Sequence, residues 1–500
     1  MMKTLIPTLL LPLTLTACGG WTPARFADRA PVTIVHDDEP IAVPVETVFI
    51  QELYQADVYI RRAIVDSLDP RRDPAALDVN SLDEVPRSSW FRGVDDANRP
   101  LLGYVRDGPP KPPFVLLDEE ATQPDSFRIR DARGLTYELL HDLEDRDGMR
   151  TAAAAITSRL VHALGYRTPE VYVIVDHEGR RAAATRWPNG RDLGPTPINR
   201  LREDDPNDHL PHVDRRSLRV MKLVCAWLGI SRLEPRMLRD QYVGEPGQGH
   251  VEHVLTGLDG ALGVQEWHDA VTFANDPDRE SGGFAFRLFS LGLSPKPPAI
   301  VPPTPWESVG LLHENVQPGR YRLSPPFEPT DRLTPGDAHW IGKRIAAVPL
   351  TAIADALAAG KLQPAPTNWL FQVLHLRRAA VAAWAYDRVT PLELVMLRSE
   401  TGGRANLVLA DLALVAGFTS EERRSYDVSF HDHRGERIAQ PRRLRANRSL
   451  VAVILPKALR EHAYVVVRIR GRSGTGALPR SFELHLLSSA EGYRVIGIRH

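Results

Sequence analysis

The spacing of apolar residues changes along this chain, and the changes divide it into units that cannot share one architecture. Short β-branched runs flank a helical pattern in residues 126–213, helical patterns dominate 214–390, and strand-like runs fill 391–500. At 500 residues the chain is also longer than a single hydrophobic core supports. The sequence therefore predicts an α+β multidomain protein.

Residues 126–213 are predicted to form a small α+β lobe. Asp131–Gly134 is a hairpin signal between two apolar runs, and Gly165 is placed to end a helix. The unbroken apolar run that starts at Val171 predicts a buried central strand. The predicted elements are two strands, a helix and two further strands: Phe127–Arg130, Leu135–Leu140, Met149–Leu164, Val171–Val175 and Arg181–Trp187.

The stretch Asp214–Gly263 follows this lobe and occupies the place where many bilobal enzymes keep catalytic carboxylates. It predicts an amphipathic helix over Arg216–Leu228 with Asp214 as its N-cap. Cys225 falls on the apolar face of that helix, which favours a buried thiol over a nucleophile. Two strands complete the stretch: Arg239–Val243 and Val251–Leu255.

The remainder of the chain is predicted to be helical and then β-rich. Three helical patterns, centred on Trp340, Ile353 and Leu370, form a lobe that ends near Pro391. Beyond it, runs separated by turn residues are typical of a β-sandwich or barrel. The seven runs are Leu392–Leu397, Ala405–Leu414, Tyr426–Phe430, Leu450–Leu455, Tyr464–Ile469, Phe482–Leu487 and Tyr493–Ile498.

The N-terminus has the pattern of a lipoprotein signal peptide. Leu5–Leu15 is an apolar segment too short to span a bilayer. The end of it, Leu15-Thr16-Ala17-Cys18, resembles the bacterial lipobox, which implies removal of residues 1–17 and a diacylglycerol on Cys18. The alternative is a plain secretory signal with a chance cysteine. Gly19, rather than an aspartate, favours the outer membrane.

Residues 18–45 lack periodicity and contain many prolines and charges, so they are predicted to form a flexible, lipidated tether. Residues 46–125 follow as a helix over Glu46–Leu68 and an irregular segment, Asp78–Phe91. That segment ends in two large aromatics, Trp90 and Phe91, which are expected to pin it to a domain surface. We call residues 78–91 the wrapping segment.

The charge and cysteine content narrow the class of partner. The chain has 62 basic and 63 acidic residues, and its arginines show no run in any one segment. This balance argues against nucleic acid or an anionic membrane surface as a general partner. Acylation of Cys18 leaves Cys225 as the only thiol, so no intrachain disulfide is expected.

Several stretches resemble a group of large bacterial lipoproteins with an atypical, degenerate protein-kinase-like core. These stretches are Asp78–Phe91, Phe127–Asp131, Leu135–Tyr137, Thr151–Tyr166, Asp337–Trp340, Arg377–Arg378 and Val495–Arg499. The resemblance implies a kinase-like bilobal core, with a small α+β lobe and a larger helical lobe, followed by a C-terminal β-sandwich-like domain. It also implies a strand lysine and acidic metal ligands, both of which phosphoryl transfer needs.

The residues at those positions do not supply this chemistry. Leu140 occupies the position of the strand lysine, and the helix that follows contains no acid. Only Glu234, Asp240 and Asp259 remain as weak catalytic candidates. An active kinase is therefore disfavoured against a pseudokinase-like protein.

Other chemistries lack a complete signature. No Gly-x-Ser-x-Gly elbow occurs, and His431 and His433 have no evident third metal ligand. The acid pairs 204–205 and 276/278 are weak glycosidase candidates, and Trp267, Trp306 and Trp369 are a weak carbohydrate platform. No cofactor or metal is therefore predicted.

The function that the sequence favours is a membrane-anchored envelope lipoprotein that binds or scaffolds a protein or glycan partner without catalysis. The alternative is a divergent envelope phosphotransferase or hydrolase that uses acids of the inter-lobe cleft.

Overall fold

We analysed a computed structural model of the chain, which is a mixed α/β protein with several antiparallel sheets. It describes residues 21–61, 74–117, 126–176, 178–186, 190–198, 200–264, 304–323, 325–399, 405–474, 476–489 and 492–500. Cys18, the signal peptide, Trp187, Trp267 and the acids at 276 and 278 lie outside the described residues. No helix among those ranges is long and apolar enough to span a bilayer.

Residues 21–45, which we call the N-terminal arm, lie along the body of the protein, so the prediction of a flexible tether is wrong for them. Asp37 is buried and accepts hydrogen bonds from the backbone N–H and hydroxyl of Ser89 at 2.9 and 2.7 Å. Ile34 and Ile41 make isolated β-bridges to Arg87 and Gly249. In these contacts, backbone groups bond to other parts of the protein. The composition of the arm had suggested a flexible segment whose backbone bonds to water.

The first helix is shorter than predicted within the described residues. An α-helix, α1, spans Gln51–Ala56 and continues as a π-helical turn over Asp57–Arg61. Tyr54 and Val58 are buried, whereas Leu53 is 64% exposed. The Tyr54 hydroxyl also donates to the carbonyl of Pro326, which fixes this face of the helix to the body of the protein.

A five-stranded antiparallel sheet and one helix form the small lobe. The elements are β1 Val115–Leu116, β2 Ser126–Arg130, β3 Thr136–His141, α2 Met149–Ala163, β4 Val171–Val175 and β5 Arg181–Arg186. The strand order is β1-β2-β3-β5-β4, so β4 lies at an edge and not at the centre as predicted. Its apolar run is explained by packing on both faces of the strand. Val171 and Val173 pack with residues of α2, while Tyr172 and Ile174 pack on the opposite face.

A second, three-stranded sheet was only partly predicted. Its strands are β6 Arg191–Pro195, β7 Leu238–Val243 and β8 His250–Leu255, in the order β6-β7-β8. The pair β7 and β8 confirms the two predicted strands. Strand β6 was missed because it lies in a polar, proline-containing stretch.

The helix predicted over Arg216–Leu228 is two helices, α3 Arg216–Arg219 and α4 Met221–Leu228. Asp214 does not cap it as predicted, because its carboxylate pairs with Arg219 at 2.6 Å instead. The cap comes from Asp78 of the wrapping segment, which accepts from the backbone N–H of Arg216 and from the N–H and hydroxyl of Ser217. Cys225 is fully buried, and burial raises the pKa of its thiol.

Four further helices of this region lie within the described residues. They are α5 Glu328–Asp331, α6 Pro335–Ala347, α7 Leu350–Ala359 and α8 Pro364–Tyr386. The N-cap of α6 is a capping box, in which Thr334 and Asp337 bond each other's backbone N–H. Helices α6, α7 and α8 share one core with α2, α4 and the buried aromatics Trp90 and Phe91, which confirms the predicted pinning of the wrapping segment.

Two antiparallel sheets form the C-terminal region and share one hydrophobic core. Its elements are β9 Leu392–Ser399, β10 Ala405–Asp411, α9 Leu412–Val415, β11 Arg424–His431, β12 Arg437–Leu444, β13 Leu450–Leu455, β14 Tyr464–Ser473, β15 Gly476–Ala477, β16 Phe482–Ser489 and β17 Gly492–Arg499. The orders are β13-β10-β9 and β12-β11-β14-β16-β17, with β15 paired to β14. A strand is present at each of the seven predicted runs, but the run Ala405–Leu414 is a strand only as far as Asp411, where α9 follows. Strands β12 and β15 were missed.

Replacing Asp78 with alanine should destabilise the fold, because it removes the acceptor for three groups at the start of α3. We expect a loss of about 1–3 kcal/mol in the free energy of unfolding, measured by urea denaturation. Asp38→Ala, at an exposed aspartate, is the matched control and should change stability by less than about 0.5 kcal/mol. Equal losses in the two variants would contradict the capping role.

Candidate functional site

Leu140 and Asp259 line one small cavity, which we call the Leu140 cavity. Leu140 comes from β3, Asp259 from a 3₁₀ turn over Leu258–Gly260, and the helix α2 contributes Ala154 and Ser158. Its volume is about 30 Å³, which is room for about two water molecules. That is well below the usual volume of small-molecule pockets, about 300–1,000 Å³.

Asp259, in the lining of this cavity, forms an ion pair with an arginine. The guanidinium of Arg150, at the start of α2, donates to one carboxylate oxygen of Asp259 at 2.9 and 3.1 Å. Both side chains are nearly buried, with 12% and 13% of their surfaces exposed. The carboxylate therefore has a protein cation where a metal-binding aspartate would have a metal ion.

Asp240 lies in a separate, fully buried polar cluster. It is on β7, and His253, opposite it on β8, bonds its carboxylate at 2.8 Å. Arg202 donates to the other oxygen at 2.7 Å, and the Thr196 hydroxyl also donates. Burial alone would raise the pKa of Asp240, but the attraction of His253 and these hydrogen bonds hold that pKa below its ordinary value.

A second Asp–His pair lies beside the first. Asp208 bonds His212 at 2.7 Å and Arg215 at 3.2 Å. Burial opposes ionisation of Asp208, but the His212 hydrogen bond and charge lower its pKa to about 2. The Trp90 ring stacks on His253 with ring centroids 3.6 Å apart and contacts His212 at 4.5 Å.

The surroundings of the two Asp–His pairs indicate a structural role. Asp240, Asp208 and their histidine and arginine partners are at most 5% exposed, and the cavity that His253 lines has a volume of only about 20 Å³. Sequence reasoning missed this cluster, although the spacing of Asp208 and His212, four residues apart, was a usable signal.

Glu234 lies apart from both places. It is 1% exposed and pairs with the Arg236 guanidinium at 2.6 Å. The three candidate acids therefore do not meet in one site. Only Asp259 shares a cavity with Leu140.

A larger cavity, of about 450 Å³, lies under the N-terminal arm, and we call it the arm cavity. Its lining is mostly apolar and comes from the arm, the wrapping segment and the loop before α3. Representative lining residues are Val32, Val35, Leu77, Val79 and Leu210. Arg215 and Asp37 add buried charge. The volume is in the range of ligand pockets.

One group of described residues has side chains suited to a metal ion: His339, Glu393 and His500, whose ligand atoms lie within 4.8 Å of one another. Each of two members already has internal partners. His500 bonds Asp83 at 2.8 Å and the carbonyl of Leu392 at 2.9 Å, and Glu393 pairs with Lys343 at 2.8 Å. A cation would have to displace these contacts and approach the Lys343 ammonium, so the group is not preorganised for a metal.

Comparison with known proteins adds one weak structural likeness. No protein-family model and no curated protein sequence matches the chain. Among solved structures, the proinflammatory kinase CtkA of Helicobacter pylori is similar over 55% of this chain and 96% of that chain, with 9% identity and a TM-score of 0.34. A likeness of this size carries no argument about activity.

Replacing Asp240 with alanine should destabilise the protein far more than replacing Asp259. Loss of Asp240 leaves the buried Arg202 with only the partly exposed Asp204 as counter-charge and leaves His253 without its carboxylate, which costs about 3–5 kcal/mol. Arg150 and Asp259 are 12% and 13% exposed, and their pair contributes about 1 kcal/mol. Urea denaturation of both variants measures the difference. Equal losses would show that Asp240 is not the structural acid described here.

Proposed function

We propose that this chain is a lipid-anchored lipoprotein of the bacterial cell envelope, with a degenerate kinase-like core that binds a partner and performs no phosphoryl transfer. The observation that carries the proposal is the Leu140 cavity. An apolar side chain lies where a nucleotide-binding cation is needed, and the nearest candidate metal ligand, Asp259, is paired with Arg150.

The requirements of phosphoryl transfer explain why this observation supports the proposal. Cations must hold the phosphates, acids must hold Mg²⁺, and a base or positioning carboxylate must orient the nucleophile. Leu140 supplies no charge, and Asp240 is committed to Arg202 and His253 inside the protein. A cavity of about 30 Å³ also cannot admit a nucleotide without rearrangement.

The architecture of the proposal follows the order of the elements. We assign 126–213 to the small lobe, 214–390 to the larger helical lobe and 391–500 to a β-sandwich-like domain. Two strands cross these bounds, because β1 before residue 126 joins the small-lobe sheet and β6 pairs with β7 of the following region. The two C-terminal sheets and their shared core support the last assignment.

The arm cavity supports a binding role over a purely structural one. At about 450 Å³ it has the size of a ligand pocket, and apolar residues around a few charged groups are the usual lining of such pockets. An envelope protein segment or a glycan remains the proposed partner class.

Mg-ATP should produce no change in the thermal unfolding midpoint. A ligand at 100 times its Kd would stabilise the folded state by about 2.7 kcal/mol, which is readily seen as a shift in the midpoint. Mg²⁺ alone and ATP with a chelator are the controls for ion effects. A clear rise of the midpoint at sub-millimolar Mg-ATP, absent from both controls, would contradict the non-catalytic proposal.

Cys18→Ala should abolish incorporation of labelled palmitate and move the protein from the membrane fraction to the soluble fraction. Two or three acyl chains, at about 0.8 kcal/mol per buried CH₂, hold a soluble domain firmly at a bilayer. Cys225→Ala is the matched control, because Cys225 is buried and cannot be acylated in the folded protein. Retained label in Cys18→Ala would refute the anchor.

A further inference from the structure

The N-terminal arm is fastened to the outer face of the six-stranded C-terminal sheet, a short distance after Cys18. The indole N–H of Trp21 donates to Glu483 at 2.8 Å, and the Trp21 ring contacts His431 edge-on at 4.8 Å. The Arg468 guanidinium lies 4.3 Å from the centre of the same ring. Trp21 is therefore held by three strands of one sheet, β11, β14 and β16.

Phe26 provides a second attachment on the same face. Its ring packs so closely on Gly497 that a Cβ there would lie 2.1 Å from the ring, so only glycine fits. The ring also contacts His485 at 4.8 Å, and the backbone N–H of Phe26 donates to the Tyr464 hydroxyl. Asp28 then pairs with Arg494.

The position of Trp21 fixes which part of the protein lies near Cys18. The backbone of Trp21 presses on Gly435, in the turn between β11 and β12, where a Cβ would lie 2.9 Å from its carbonyl oxygen. Three residues span at most about 11 Å. A lipid on Cys18 therefore brings the turn at Gly435 to the headgroup layer of the bilayer.

The turn leads into the most basic stretch of the described surface, residues 434–448, which we call the basic edge. It contains six arginines and a single acid, Glu436. All six are exposed: Arg434, Arg437, Arg442, Arg443, Arg445 and Arg448. Arg443 pairs with Asp427 at 2.7 Å and Arg442 donates to the carbonyl of Ile454. In the described part of the chain, no ion pair occupies the other four.

Protection of a sheet edge explains only part of this charge. Strand β12 is the edge of its sheet and carries Pro441, and arginine or proline on an edge prevents pairing with other chains. Arg434, Arg445 and Arg448 lie outside the strand, where no such protection is needed.

We infer that the basic edge is a docking surface for anionic phospholipid headgroups, which orients the protein with β12 against the membrane that holds its lipid. The inference rests on the proposed acylation of Cys18. Guanidinium groups bind phosphate oxygens strongly and in pairs, and basic residues next to an anionic leaflet bind it at short range. The whole chain is nearly neutral, so its net charge does not reveal this local positive charge. The sequence analysis predicted evenly distributed arginines and overlooked the basic edge.

A fluorophore on a single introduced cysteine can test the inference, because Cys18 is acylated and Cys225 is buried. The lipidated full chain carries Gln440→Cys, exposed on β12, or Ala97→Cys, exposed and remote from the basic edge in sequence. Each is reconstituted in vesicles of phosphatidylcholine alone or mixed with phosphatidylglycerol, both with a headgroup-attached quencher. We expect clearly stronger quenching at position 440 in the phosphatidylglycerol vesicles than in phosphatidylcholine alone, and weak quenching at 97 in both.

Charge reversal then identifies the arginines as the cause. In the phosphatidylglycerol vesicles, the triple variant R434E/R437E/R445E should reduce quenching at 440 to its level in phosphatidylcholine alone, because each reversal weakens surface association by about fivefold or more. The matched control reverses three exposed arginines elsewhere, R99E/R200E/R398E, and should leave quenching at 440 unchanged.

The outcomes separate this inference from the proposed anchor. A protein that carries acyl chains by mass spectrometry, but shows the same quenching at 440 in both kinds of vesicle, overturns the docking surface and leaves the anchor standing. A protein without acyl chains overturns both. Equal loss of quenching in the two triple variants would also overturn the inference, since it would reflect total charge and not the basic edge.

Discussion

The guanidinium of Arg216 joins four parts of the chain, and the arrangement of the whole protein depends on it. It donates to Asp83 of the wrapping segment and to Asp337 of α6, both at 2.8 Å. Asp83 also accepts from His500, beyond the last strand, at 2.8 Å. Burial by itself would lower the pKa of Arg216, but the two carboxylates raise it, so the cation is fixed at every physiological pH.

This network gives specificity of position more than stability. A buried ion pair often does no better than an apolar replacement of equal volume, but breaking one partner leaves a costly unpaired charge. Any displacement of the wrapping segment from α3 would expose Arg216 in this way. Glu84 adds to the constraint, because its carboxylate binds Trp340 at 2.8 Å and Lys343 at 2.5 Å on α6. The irregular backbone of the wrapping segment is thus fixed to α3 and α6 by side-chain contacts.

Local patterns predicted the elements well, and long-range contacts account for the errors. Alternating apolar residues located the strands of the C-terminal region, and β12 escaped because Pro441 and the arginines interrupt any alternation. The cap of α3 comes from Asp78, 138 residues away from Arg216, whereas local propensity favoured the adjacent Asp214. The edge position of β4 depended on pairing order, which its composition does not encode.

Long-range contacts also limited what the sequence could predict about the candidate site. The resemblance supplied Leu140 and Asp259 as separate positions, and the fold brings these two distant parts of the chain to one cavity. Sequence reasoning offered no means to see that Arg150 pairs with Asp259, or that Asp240 is enclosed by Arg202, His253 and Thr196. An acid in a sequence is a candidate ligand until its partner is known. In this protein the partners of Asp240 and Asp259 are arginine and histidine side chains. These carboxylates are therefore already paired within the protein, without a metal ion or substrate.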